Sequence, residues 1–249
     1  MADSQGYRAK VGFLVPSTNT TAQPEIDDLR PIGVTNHIAR MTIANSEMVE
    51  RPGFDQVLDD IRGSATPAIE SLITADPDIV AVGVSPEAFW SGVDAQSKVV
   101  SAFSEDAGGR PVITSADAVG AALGALGDLR RVAIITPYVK LGDNTVRRFF
   151  DDSGFDVVGI EGLGASTPAA ISHIGPDRLR TAVAAVDSAD VQAIVQVGTN
   201  VAMARFAASA EAFLGKPVLS NNAVLYWHAL RTLGITDRFP GHGTLFEQH

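Results

Sequence analysis

Five short polar stretches in this 249-residue chain carry the side chains best suited to chemistry, and each begins where an apolar run ends. They are Ser17-Thr18-Asn19-Thr20-Thr21, Ser85-Pro86-Glu87, Thr136-Pro137-Tyr138, Gly198-Thr199-Asn200 and Ser220-Asn221-Asn222. Hydroxyls and amides dominate them and charge is scarce. That composition suits a site that holds a small carboxylate through neutral donors and helix N-terminal N–H groups. The same residue types also cap helices and close turns, so each stretch taken singly has a structural reading as well. Five such turns in corresponding places favour a polar ligand site. Glu87 is the one carboxylate beside these turns. Desolvated there it would serve as a general acid or base; in a helix's first turn it would only complement the dipole. Tyr138 is the second candidate for moving a proton, set against a buried tyrosine satisfied by its neighbours.

Several chemistries are excluded. The chain has no cysteine, which removes disulfides, thiolate metal ligands and thiol nucleophiles together. The hydroxyls of Ser85 and Thr199 would need an adjacent base to become nucleophiles, and no histidine sits in a matching turn. The five histidines, His37, His173, His228, His242 and His249, contain no pair at the i, i+4 spacing of a helical metal site. Of these, His173 lies in a second-lobe loop within reach of the cleft but is not counted among the site residues. No glycine-rich phosphate loop follows a strand, so no cofactor is expected. A net charge of −10 without a basic stripe argues against nucleic acid. No apolar run reaches the ~18 residues of a membrane span. The N-terminus lacks a basic-then-apolar leader, so a cytoplasmic protein with no membrane partner is expected.

The elements that must position these turns follow from the apolar pattern. Residues 11–15 form a continuous apolar run, the signature of a parallel strand buried on both faces, and Pro16 ends it. Further strands are expected at residues 33–39, 76–84, 111–114, 131–136, 156–160, 190–197 and 215–220. Phe54, Val57, Leu58, Ile61, Ala65, Ile69 and Leu72 recur at helical spacing. Other helices are expected at residues 24–29, 116–126, 144–150, 176–186 and 223–233, with Gly127 and Gly234 closing two of them. Residues 46–52 read as a loop or a lid. Strands alternating with helices give an α/β fold with parallel sheets, whose ligands bind at the strands' carboxyl ends.

The chain also repeats itself. Lys10-Val-Gly-Phe-Leu-Val-Pro16 pairs with Arg131-Val-Ala-Ile-Ile-Thr-Pro137, residues 76–85 with 190–199, and Gly109-Arg-Pro-Val-Ile-Thr114 with Gly215-Lys-Pro-Val-Leu-Ser220. Any α/β protein repeats strand and turn, but the shared Gly-basic-Pro-Val pattern, followed each time by a helix, favours duplication. Two flavodoxin-like parallel-sheet lobes related by a pseudo-twofold are expected, with the site in the cleft between them. The first would hold residues 1–115 and 220–249, the second 116–219.

These residues also resemble a known group. Val15-Pro-Ser-Thr-Asn-Thr-Thr21 with Glu25 resembles the opening motif of maleate cis-trans isomerases. Thr136-Pro-Tyr138 and Ser220-Asn221-x-Ala223…Trp227…Leu230-Arg231…Gly234 resemble later motifs of the same group. That group sits with the arylmalonate decarboxylases in the aspartate/glutamate/hydantoin racemase superfamily, and the resemblance spans about residues 9–238. It implies a cofactor-free enzyme of isomerase or lyase type, assembled as a homodimer or higher homo-oligomer. It makes Asn19 and Tyr138 substrate contacts, with Thr199 and Asn200 as further donors; Ser17, Ser85 and Asn221 complete the candidate binding set. The superfamily's racemases use two cysteines, one at the equivalent strand end of each lobe. Here the repeat places those positions at Val84 and Gly198, so thiol addition to a double bond is not available. The expected activity is isomerase-type or related chemistry next to a carboxyl group. The alternatives are a lyase, decarboxylase or hydrolase acting on a related acid or amide, and a carboxylate-binding relative without turnover.

Overall fold

The computed structural model describes residues 3–84 and 93–249. Eight strands form two four-stranded sheets, and every strand pair is parallel. The first sheet holds β1 (Ala9–Pro16), β2 (Val34–Met41), β3 (Ile79–Val82) and β4 (Val112–Thr114) in the order β2-β1-β3-β4. The second holds β5 (Arg131–Thr136), β6 (Asp156–Gly162), β7 (Ala193–Gln196) and β8 (Val218–Ser220) in the order β6-β5-β7-β8. The three sequence pairs thus occupy the same sheet positions in each half: β1 with β5, β3 with β7, β4 with β8.

Register repeats too. Val11 lies opposite Ile79 in the first sheet, as Val132 lies opposite Ala193 in the second. Val80 faces Val112 as Ile194 faces Val218. A one-residue slip would turn every side chain to the wrong face, so this agreement means both halves bury the same pattern. β3 and β7 are buried along their whole length and β1 and β5 nearly so, which is why they read as unbroken apolar runs. The edge strands β2 and β6 are half-exposed, and their sequences alternate only weakly.

The described helices are α1 (Ala22–Asp28), α2 (Arg51–Ile73), α3 (Val93–Asp106), α4 (Ser115–Ala125), α5 (Lys140–Asp152), α6 (Pro176–Val186), α7 (Ala204–Leu214), α8 (Asn221–Thr232) and α9 (Thr244–Gln248). α2 buries the seven residues singled out by spacing, together with Ala68. Its first turn fits only because position 53 is glycine: a Cβ there would overlap the Glu47 carbonyl. α4 opens with a capping box, in which the Thr114 hydroxyl accepts from the Asp117 N–H and the Asp117 carboxylate accepts from the Thr114 N–H.

Two expectations are adjusted. The strands expected over residues 76–84 and 190–197 shrink to four residues each, and their polar flanks become the turns. α7 was not expected at all. It is alanine-rich, buries only Ala207, Ala210 and Glu211, and leaves Phe213 in solvent, so its sequence has no clear apolar stripe. α8 leaves the second sheet at Ser220 and packs against α1, β3 and β4 of the first. This crossing brings the carboxyl ends of both sheets together.

Candidate functional site

The turn after β1 is built by Asn19. Its N–H donates to the Pro16 carbonyl at 2.9 Å. Its Oδ1 accepts from the N–H groups of Thr21 and Ala22 at 3.0 and 2.9 Å, covering the start of α1. The carbonyl side of the amide is therefore a cap, as the structural reading allows. The Nδ2 side reaches into the other lobe and donates to Thr199 Oγ1 at 3.0 Å. Thr199 Oγ1 in turn donates to the Gly83 carbonyl at 2.8 Å. Asn200 completes the junction: its Oδ1 accepts from the Thr20 N–H at 3.0 Å, and its Nδ2 donates to the carbonyls of Thr18 and Pro168 at 3.3 and 3.1 Å.

Beside this seam lies a cavity of about 40 Å³. That is room for about three waters at ~10–15 Å³ each. Asn19, Tyr138, Thr199 and Asn200 all line it, so four of the candidate residues meet at one place. Val84 and Gly198 line it as well. The two positions that the repeat pairs with the missing thiols thus face the same space.

Gly198 has φ +101°, and a Cβ built there would stand 2.7 and 2.9 Å from Cγ and Cδ of Pro137. Both the backbone and the neighbour demand glycine. Tyr138 is fully enclosed. Its ring sits over Gly142, where a Cβ would overlap it, and meets the edge of Phe54 at 5.7 Å between centroids. Its N–H donates to Thr136 Oγ1 at 3.1 Å, and that hydroxyl donates to the Asp143 carboxylate. Burial, with Asp143 nearby, holds the phenol well above its ordinary pKa, so it is neutral throughout the physiological range.

Other expected residues are placed elsewhere. Ser17 Oγ accepts from the Ile43 N–H at 3.1 Å and pins the chain after β2 rather than facing the cavity. Asn221 donates through Nδ2 to Ser115 Oγ at 3.0 Å and through its N–H to Gln196 Oε1 at 3.2 Å. Both are strand-end polar residues used for local connections. His173 ends a 3₁₀ turn (Ala169–His173), and it is Ile171 of that turn that reaches the cavity. Ser85 and Glu87 lie outside the described residues. The loop at residues 46–52 contributes Met48, which is buried on the cavity wall with its N–H donating to the Ser166 carbonyl at 2.7 Å.

Sequence reasoning gave Glu25 only as part of a motif, but it backs the whole seam. Its two carboxylate oxygens accept from the Ala204 N–H at the start of α7 and from Asn222 Nδ2, each at 2.7 Å. Asn222 Nδ2 also donates to the Thr199 carbonyl at 2.9 Å. Desolvation raises the Glu25 pKa against the lowering effect of these bonds, and Asp28 on the same helix adds to the rise. The signal available in sequence was a carboxylate four residues behind the Ser17–Thr21 turn, one of three in residues 25–28.

Two outcomes follow. Gly198→Ala should lower stability by about 2 kcal/mol or more, from the left-handed backbone and the overlap with Pro137. That corresponds to a Tm loss of roughly 4–8 °C; an unchanged Tm would show that the turn relaxes freely. For Glu25 the sign is set by a folded-state pKa above the unfolded value. Its contribution is present below the ordinary carboxylate range and is lost as pH rises through the raised pKa. The Tm of the wild-type protein minus that of Glu25→Gln should therefore shrink as pH rises above the ordinary carboxylate range. A flat difference across that scan would count against titration of Glu25.

Known proteins agree with this architecture. The sequence pattern of the arylmalonate decarboxylase family matches residues 11–246. A maleate isomerase of Pseudomonas putida is 30% identical over 97% of this chain and 98% of its own. The crystal structure of a cysteine-to-alanine variant of the Pseudomonas putida maleate isomerase Iso, with maleate, superposes with a TM-score of 0.86. It is 26% identical, covering 96% of this chain and 97% of that one. A liganded double-substitution variant of arylmalonate decarboxylase superposes with a TM-score of 0.78 at 22% identity, covering 97% of this chain and 100% of that one, and shares the fold. The duplicated parallel sheets, the matched strand ends and this end-to-end agreement together place the chain in the arylmalonate decarboxylase family.

Proposed function

We propose that this chain is a cofactor-independent enzyme acting on a small carboxylate, with isomerase-type or related chemistry next to the carboxyl group and without a cysteine nucleophile. One observation carries the reading: Asn19, Tyr138, Thr199, Asn200 and both thiol-equivalent positions, Val84 and Gly198, line a single cavity between the strand ends. The relative that superposes with maleate is a maleate isomerase, which supports a carboxylate as the ligand class.

The side-chain donors of Asn19, Thr199 and Asn200 are already engaged by protein acceptors, which leaves backbone N–H groups to hold the carboxylate. Among the described residues, the N–H groups of Thr199 and Asn200 donate to no protein acceptor, and they follow the left-handed Gly198. Successive N–H groups in such a turn form an anion cradle. Fixed in a dry site, they would stabilise the negative charge that develops on the carboxylate when the adjacent carbon loses a bond. Tyr138, neutral because it is buried, supplies a proton or a hydrogen bond, and Glu87 takes the part of its acid/base partner. With Val84 and Gly198 at the thiol positions, no covalent adduct to a double bond forms.

A carboxylate-binding relative without turnover is the second reading. It is favoured by one observation, that the side-chain donors of Asn19, Thr199 and Asn200 are all engaged by protein acceptors. A thermal-shift screen with small mono- and dicarboxylates, amides and lactones, followed by NMR of each stabilising compound, separates the two. Chemical change of a stabilising compound is expected. Asn19→Ala should weaken both binding and turnover, whereas Glu87→Gln and Tyr138→Phe should each lower turnover by about 10²-fold or more with binding retained. Unchanged turnover in both of the latter variants would remove the proton assignment, and stabilisation without product would favour the binding protein.

A further inference from the structure

We infer that Gln196 is a positioning residue: its side-chain amide holds the carbonyls of Val197 and Gly198, and this turns the N–H groups of Gly198 and Thr199 towards the cavity. The inference rests on the proposed carboxylate reading of that cavity and names what keeps its backbone donors in place. Gln196 ends β7, whose other residues are Ala193, Ile194 and Val195, and it is 1% exposed. An amide buried in an apolar strand is costly unless its donors and its acceptor are used. Both sides are used here. Nε2 donates to the Val197 carbonyl at 2.5 Å and to the Gly198 carbonyl at 2.7 Å, and Oε1 accepts from the Asn221 N–H at 3.2 Å. These partners also fix which way round the amide sits. Reversed, its oxygen would face two carbonyl oxygens and its nitrogen would face an N–H.

The consequence follows from the planar trans peptide, in which C=O and N–H point in opposite directions. No cis bond occurs among the described residues. A Val197 carbonyl held by Gln196 sends the Gly198 N–H the other way, and a held Gly198 carbonyl does the same for the Thr199 N–H. Gly198, at φ +101°, lets the two successive carbonyls converge on one nitrogen. Gly198 and Thr199 line the cavity and Gln196 does not, so the amide braces the turn from behind. Among the described residues neither N–H has a protein acceptor. The internal repeat supplies a contrast: Gln196 corresponds to Val82, and the Val197 carbonyl to that of Gly83. With valine at position 82, the Gly83 carbonyl takes its donor from the other lobe, Thr199 Oγ1 at 2.8 Å. Of the two equivalent carbonyls, that of Val197 is the one braced from within its own strand.

Backbone NMR with acetate, isobutyrate, malonate and maleate as probes tests this on wild type, Gln196→Leu, Gln196→Met and Ser115→Ala. Ser115→Ala is the control: it removes the neighbouring buried bond to Asn221 Nδ2 without touching either carbonyl. In the wild type the Gly198 and Thr199 N–H signals should move downfield on titration with at least one acid. The Gln196 side-chain N–H protons should resist exchange with solvent. Both Gln196 variants should weaken that acid's binding by about tenfold or more and abolish the two shifts. Ser115→Ala should keep the binding and the shifts even where its Tm falls as far. Equal affinity with equal N–H shifts in a folded Gln196 variant would overturn the positioning role and leave the carboxylate site standing. Rapid exchange of the Gln196 side-chain protons in the wild type would overturn it as well, whether or not the variants fold. An acid that binds and moves other signals but neither N–H would overturn the cradle. No binding of any of the four acids would overturn the carboxylate reading itself.

Discussion

Two turns from opposite lobes satisfy each other's polar groups out of contact with bulk solvent, and the rest of the molecule is arranged around that exchange. Asn19, Thr199 and Asn200 are each at most 6% exposed. A buried amide or hydroxyl without a partner costs about 1–3 kcal/mol, more than the ~1 kcal/mol net that a made bond contributes. The bonds from Asn19 to Thr199 and from Asn200 to Thr18 and Thr20 therefore act less as glue than as a register. Any other docking of the lobes would leave several of these groups unpaired. Glu25 and Asn222 extend the same requirement to the starts of α7 and α8, so both helices are indexed to the cavity.

Duplication explains why such a seam exists. Two sheets of identical strand order and matching central register present the same ends to one another, and the turn after β1 meets the turn after β7 across the seam. What differs between the halves then carries the chemistry. Val84 and Gly198 descend from one position in the repeat but differ in side chain and backbone. Gly198 is held in a left-handed conformation against Pro137 and is followed by two N–H groups without a protein acceptor, while Val84 lines the same cavity with an isopropyl group. The site is thereby polarised without using a single charged side chain among the described lining residues.

The fold was largely legible because central parallel strands are buried on both faces and leave a continuous apolar mark. The helix expected over residues 176–186 matches α6 residue for residue, since Gly175 and Pro176 fix its start. α7 was missed because alanine serves a buried face and an exposed one equally well. In the site, four of the polar residues read from sequence do converge. Ser17 and Asn221 turn away, and sequence could not separate them from Asn19, because a polar side chain at a strand end has a local use and a distant one. Which use prevails depends on whether the opposite lobe offers a partner: Thr199 does so for Asn19, while Ser17 finds the nearer Ile43 backbone. The burial of Glu25 was likewise invisible, being imposed by α7 and α8 far along the chain.

The electrostatics of the cavity constrain the direction of any proton transfer. Tyr138 is enclosed and its pKa is raised, so it holds its proton and can give one but cannot accept one at neutral pH. Chemistry at the carbon next to a carboxylate that begins by removing a proton needs a base elsewhere. Among the described residues lining the cavity there is no carboxylate and no imidazole. Glu25 and Asp143, the raised carboxyls nearest the seam, are bonded to Asn222 and Thr136 on its far side and do not line the cavity. Three positions after the cavity-lining Val84, the sequence carries Glu87. On the proposed function, that carboxylate would be the base and the Tyr138 phenol the acid.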